Sequence, residues 1–148
     1  VRESLYAAFL GGGDRTFFYG HSYTANPLGC AAALASLDVF EEERTLERVA
    51  ALIPQFEAEL RSLESLPTVR QVRRLGLIAG IELGRPDGSP FDPSERRGAQ
   101  VCLAARAHGL LTRPIGDVIV LMPPLCITPE EIRLAVRALC LAIGGMEV

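Results

Sequence analysis

The chain has 148 residues, 49% of them hydrophobic, which suffices for one domain with a substantial core. A net charge of −3 offers no basic surface to nucleic acid or an anionic membrane, and no apolar run reaches the length of a membrane span or shows a signal-peptide pattern. Cys30, Cys102, Cys126 and Cys140 have neither paired nor metal-ligand spacing, so reduced thiols in a cytoplasmic protein are expected. All fifteen basic residues are arginine; the chain contains no lysine.

The start at Val1, without methionine and inside an amphipathic pattern, reads as a C-terminal piece of a longer protein. Leu5, Tyr6, Phe9 and Leu10 predict a helix over 3–10 that Gly11-Gly12-Gly13 breaks. Thr16 to Tyr19 is a short β-prone run, followed by a polar loop of Gly20, His21, Ser22, Tyr23 and Thr24. At Asn26-Pro27 the chain turns helical. Asn caps a helix with its side-chain oxygen, and proline at the first helical position gives up a donor that has no partner there anyway. The helix predicted over 27–41 carries small residues at Gly29, Cys30 and Ala31 to Ala33. A stripe of Leu28, Leu34 and Leu37 predicts that it is at least half buried.

A second helix is predicted over 45–63, with Leu46, Val49, Leu52, Ile53, Phe56, Leu60 and Leu63 on one side and Pro54 expected to kink or restart it. Strands follow at 69–72 and 76–83, the latter too apolar for a strand covered on one face and so expected to be central. Asp92-Pro93-Ser94-Glu95 is read as the start of a third helix, closed by Gly109. Leu110 to Pro114 and Val118 to Met122 form a predicted hairpin around Ile115-Gly116-Asp117. Thr128-Pro129-Glu130-Glu131 is a capping box opening a last helix over 129–143. The order implies an α+β layer, with a small sheet covered on one face.

Three places carry candidate chemistry. The hydroxyl-rich loop before Asn26 sits beside a helix N-terminus, where a phosphate or carboxylate can be held. Arg113 lies among apolar neighbours at the end of a strand read as internal; its planar fork suits a carboxylate. A structural ion pair with Asp117 or Glu82 is the other reading. His21 next to Ser22 has no third member for a nucleophilic triad, and His108 reads as a helix C-terminal residue.

The segment Gly20-His-Ser-Tyr-Thr-Ala-Asn-Pro-Leu-Gly-Cys-Ala-Ala-Ala-Leu-Ala35 resembles the stretch after the catalytic lysine of class III aminotransferases, which use pyridoxal phosphate. Leu75 to Leu83, Leu111 to Leu125 and Ile127 to Glu131 are similar to the class in the same order. Asn26-Pro27-Leu28 and the Arg113-Pro…Met122-Pro-Pro element most resemble the members that aminate an amino-keto acid in biotin biosynthesis. The resemblance implies the fold type I architecture. Residues 1–40 would end the large cofactor-binding domain, and 41–148 would form the C-terminal small domain. It also implies a homodimer in which Ser22 reaches the cofactor phosphate across the interface, His21 helps only through its backbone, and Arg113 binds the substrate carboxylate. The class needs a lysine amine to hold the cofactor and shuttle a proton, so this chain alone is expected to be inactive. Another ω-amino acid transaminase is one alternative. A non-catalytic binding or oligomerisation module, needing no lysine, is the other.

Overall fold

A computed structural model describes residues 2–18, 20, 24 and 26–146. The chain divides into two compact units, Val1–Val39 and Phe40–Val148.

The first unit holds α1 (Glu3–Ala8), a 3-10 turn at Gly13–Arg15 and most of α2 (Pro27–Glu42). The Asn26 cap forms as the sequence predicts: its Oδ1 accepts from Leu28 N at 2.9 Å and Gly29 N at 3.3 Å. Thr16, Phe17 and Phe18 belong to no strand. The expected burial of α2 is not found. Leu28, Leu34 and Leu37 are exposed, and no described residue of the helix is buried. An apolar stripe records a helix's need for a packing partner; this short unit has too little surface to supply one.

The second unit is built on a four-stranded antiparallel sheet in the order β1-β2-β4-β3, with β1 Val69–Leu75, β2 Ile78–Leu83, β3 Arg113–Ile115 and β4 Val118–Leu121. Two tight hairpins make it. Each has a two-residue loop opened by a glycine, Gly76 and Gly116, both at φ +59. A positive φ at the first loop position and not at the second, Leu77 or Asp117, marks a type II′ turn, which follows the twist of the flanking strands and favours glycine at its first position. Because Gly76 and Leu77 form the first loop, β2 starts two residues later than predicted, and β1 runs on to Leu75.

Strand alternation gives the sheet two unlike faces. Ala79, Ile81 and Leu83 of β2 and Ile119 and Leu121 of β4 are buried; their neighbours in sequence are not. Onto that inner face pack α3 (Thr45–Glu64), through Leu52, Phe56, Leu60 and Leu63, and α5 (Pro129–Gly144), through Ile132, Val136, Leu139 and Ile143. Val101 and Ala105 of α4 (Arg97–Arg106) complete the cluster. Burial stabilises each of the larger side chains by roughly 1.5–3 kcal/mol, so this core dominates the unit's stability. Pro54 lies inside an unbroken α3 instead of restarting it. One lost backbone bond is outweighed by Leu52 and Phe56, buried on either side of it.

The two helix caps read from sequence in this unit are both present, with different results. At α5, Thr128 Oγ1 accepts from Glu131 N at 3.2 Å while Glu131 Oε2 accepts from Thr128 N at 2.8 Å. At Asp92 the reciprocal bonds also form, but they cap only a 3-10 turn, Pro93–Glu95. Arg96 then takes a left-handed conformation, φ 51, and α4 begins at Arg97. The predicted helix start is thus displaced by a tertiary cluster. Glu95 accepts from Arg85 at 2.7 Å and from Arg97 at 2.9 Å, and both guanidiniums lie over the buried Phe91 ring, 5.3 and 5.4 Å from its centre. Gly109, φ +84, ends α4 with Leu110 N donating to Ala105 O and Gly109 N to Arg106 O, a Schellman arrangement.

Candidate functional site

The β3–β4 hairpin places Arg113. Its register pairs Arg113 with Val120, Pro114 with Ile119 and Ile115 with Val118. Since Ile119 points into the core, Pro114 shares the inner face, and Arg113 and Ile115 stand on the outer face. β3 is an edge strand, not the inner strand expected from its apolar surroundings. Proline is tolerated there because an edge residue can turn its donorless nitrogen away from the ladder. Pro114 also holds Arg113 extended by crowding its backbone. On the other side, the Thr112 hydroxyl donates to the Val120 carbonyl. The backbone around the guanidinium is fixed before and after it.

Across the sheet, the Arg113 row continues through Val120 and Gly80 to Arg73. Gly80 leaves the middle of this row low; a Cβ there would come within 3.2 Å of Val118 Cγ1. The neighbouring row runs Ile115, Val118, Glu82, Gln71. Glu82 is taken by Arg70 at 2.8 Å and Arg73 at 2.6 Å. Asp117 accepts from Gly98 N at 2.8 Å. Neither acid named from sequence as a structural partner therefore pairs with Arg113, which is exposed and has no ion-pair partner among the described residues. The strand presents a guanidinium on a constrained backbone, with no charge partner among the described residues. Such a group can take a carboxylate through two parallel hydrogen bonds.

A groove of about 660 Å³ lies elsewhere in the same unit, lined by His108, Leu111, Thr112, Met122, Pro123 and Cys126 among others. The volume falls in the range of small-molecule sites. No local pattern announces it, because its walls come from segments far apart in the chain.

Ser22 and His21 lie outside the described residues. The adjacent helix end is described, and its first donors are spoken for: Pro27 has none, and Leu28 N and Gly29 N are taken by Asn26. An anion at this corner would accordingly rely on loop hydroxyls and loop backbone more than on the helix terminus. No described helix is long and apolar enough to cross a membrane. The sequence reasoning missed the long-range partners, Asp117 with Gly98 and Glu95 with Arg85. Only the capping-box spacing of Asp92 and Glu95 hinted at one of them.

Residues 1–143 match the Aminotransferase class-III family, and the chain belongs to it. It is 52% identical over 141 residues, 93% of this chain and 26% of the relative, to adenosylmethionine-8-amino-7-oxononanoate aminotransferase of Nitratidesulfovibrio vulgaris. Among solved structures it is similar to the Methanocaldococcus jannaschii enzyme of the same name, with a TM-score of 0.86 and 38% identity over 97% of this chain and 34% of that one. An amine transaminase from an uncultivated Pseudomonas species, solved in its PLP-bound form, gives a TM-score of 0.77 and 35% identity over 90% and 31% of the two chains. The architecture is thus α+β and of the PLP-dependent fold type I. This chain spans about a third or less of the length of these relatives.

Proposed function

We propose that this chain is the C-terminal part of an aminotransferase that transfers an amino group, through pyridoxal phosphate, to 8-amino-7-oxononanoate in biotin biosynthesis. In this reading residues 1–40 end the large domain and 41–148 form the small domain of a cytoplasmic homodimer. The observation that carries the substrate assignment is Arg113, an exposed guanidinium on the outer sheet face with no ion-pair partner among the described residues. It receives the acceptor's carboxylate and orients the chain that bears the reacting ketone.

The fit of the cofactor to these residues is partial. The chain has no amine side chain to hold it covalently, and with Leu28 N and Gly29 N already taken, Ser22 is the side chain that would hold the phosphate. His21 would contribute backbone only. When bound, pyridoxal phosphate supplies the electron sink through which the amino group moves. This chain supplies a phosphate contact and a carboxylate clamp, and by itself is inactive. A second reading, another ω-amino acid transaminase, draws on the likeness to the amine transaminase, since a carboxylate clamp also accepts shorter amino acids.

The test is product analysis with the full-length protein containing this segment. Formation of 7,8-diaminononanoate from 8-amino-7-oxononanoate, with no turnover of 4-aminobutyrate, is the expected result. Turnover of 4-aminobutyrate alone would transfer the assignment to the second reading, and turnover of neither would end both.

A further inference from the structure

We propose that Asp117 is a positioning residue for the Arg113 guanidinium, an inference that rests on the carboxylate-binding reading of Arg113. The first observation is the poor start of α4. Arg96, at its N-cap, is left-handed and offers no side-chain acceptor to the free donors of the first turn. The acceptor arrives from the hairpin loop: Asp117 Oδ1 lies 2.8 Å from Gly98 N. An anionic carboxylate at this end of a ten-residue helix also complements the helix dipole.

The second observation is how closely helix and loop meet. A Cβ on Gly98 would stand 2.5 Å from Gly116 O, 3.0 Å from Pro114 Cβ and 3.1 Å from the Asp117 Cα. The helix backbone is seated directly on the loop and on the residue that follows Arg113. The Asp117 carbonyl meanwhile accepts from Leu83 N at 2.9 Å, tying the same loop to the end of β2. The loop is gripped by its hairpin, by β2 and by α4, and the Asp117 side chain makes the α4 grip.

This matters because β3 is short. It has three residues, ladder bonds to β4 only and nothing beyond it in the sheet. An edge strand of that length is prone to local opening unless its turn is held. A two-pronged grip on a carboxylate tolerates little misplacement, so an Arg113 set on a loose hairpin keeps its charge and loses its aim. The same bond keeps the Asp117 carboxylate on α4 and leaves Arg113 uncompensated.

The experiment compares variants of the full-length enzyme. Asp117→Ala should raise KM for the keto-acid acceptor about tenfold while kcat stays within about twofold and pyridoxal phosphate retention is unchanged. Asp117→Asn keeps an oxygen acceptor at the same reach and should return KM to near the wild-type value. Gly98→Ala, which pushes the loop away from the helix side, should raise the same KM. If the alanine protein does not fold, Asp117→Ser replaces it. A parallel fall in kcat and cofactor retention, or a KM that Asp117→Asn fails to rescue, would reduce Asp117 to a purely structural residue and overturn the proposal. Arg113→Ala is run alongside. If it raises KM and Asp117→Ala does not, only the positioning role fails; if Arg113→Ala leaves KM alone, the carboxylate-binding reading fails and takes this inference with it.

Discussion

Arg113 stands opposite Val120 across the β3–β4 hairpin, on the outer face of the sheet, while Glu82 one row away is already engaged by Arg70 and Arg73. The contrast between these arginines is informative. Arg70 and Arg73 have a carboxylate within hydrogen-bond distance and stabilise the sheet modestly, as partly exposed pairs do. Arg113 has none among the described residues, so replacing it removes no ion pair that the unit itself uses.

The expected outcome of Arg113→Ala in the full-length enzyme is a rise in acceptor KM of about ten- to a hundredfold, from the loss of a charge-assisted bidentate contact. Arg113→Lys should recover only part of it, because an ammonium is a point charge without the planar fork. Steady-state kinetics across acceptor concentrations decide the matter. An unchanged KM would assign Arg113 to the surface.

Ser22→Ala should weaken retention of pyridoxal phosphate by about 1 kcal/mol or somewhat more, the scale of one hydrogen bond to a charged group. Dialysis of the loaded enzyme followed by measurement of bound cofactor gives the number. Retention equal to wild type would remove Ser22 from the phosphate site.

The α5 cap makes a prediction about acid. Hydrogen bonds from the Thr128 backbone, and then from its hydroxyl, hold the Glu131 carboxyl below its ordinary value of 4.5. A depressed carboxyl stabilises the fold fully above that ordinary value. Its contribution declines as pH falls through 4.5 and is gone below the lowered folded-state value. Hydrogen exchange of the first-turn amides of α5 should therefore be slow at neutral pH and accelerate below about pH 4.5, beyond the intrinsic pH dependence of exchange. Thr128→Ala, which costs about 1 kcal/mol at a typical cap, should show fast exchange at neutral pH as well. A wild-type first turn equally protected on both sides of that pH would mean that the Glu131 half of the box carries no weight.

How far the sequence reaches can be judged element by element. The Asn26 and Thr128 caps, the apolar stripes of α3 and α5, the central place of β2 and the Gly116 hairpin loop were all legible, each being set by residues a few positions apart; the one-faced burial of β2 was not, because its run reads as too apolar for it. The family was legible too, since its motifs are runs of neighbouring residues. The stripe of α2 was legible as a pattern but not as burial, which depends on what covers it.

By itself, then, the sequence determined most of the helices and strands, that the sheet is covered on one face, and that the chain carries no lysine to hold the cofactor covalently; it misplaced the strand expected at Thr16 to Phe18 and the helix start at Asp92. Tertiary structure alone decided that Arg113 lies on an edge strand with its two nominal partners committed elsewhere, and that Asp117 caps a helix nineteen residues before it in the chain. It also decided that Glu95 would draw Arg85 and Arg97 onto Phe91 and delay α4. The physical reason is range. Caps, turns and periodicity act through bonds and contacts a few residues apart, whereas charge pairing follows from which strands and helices become neighbours when the core closes.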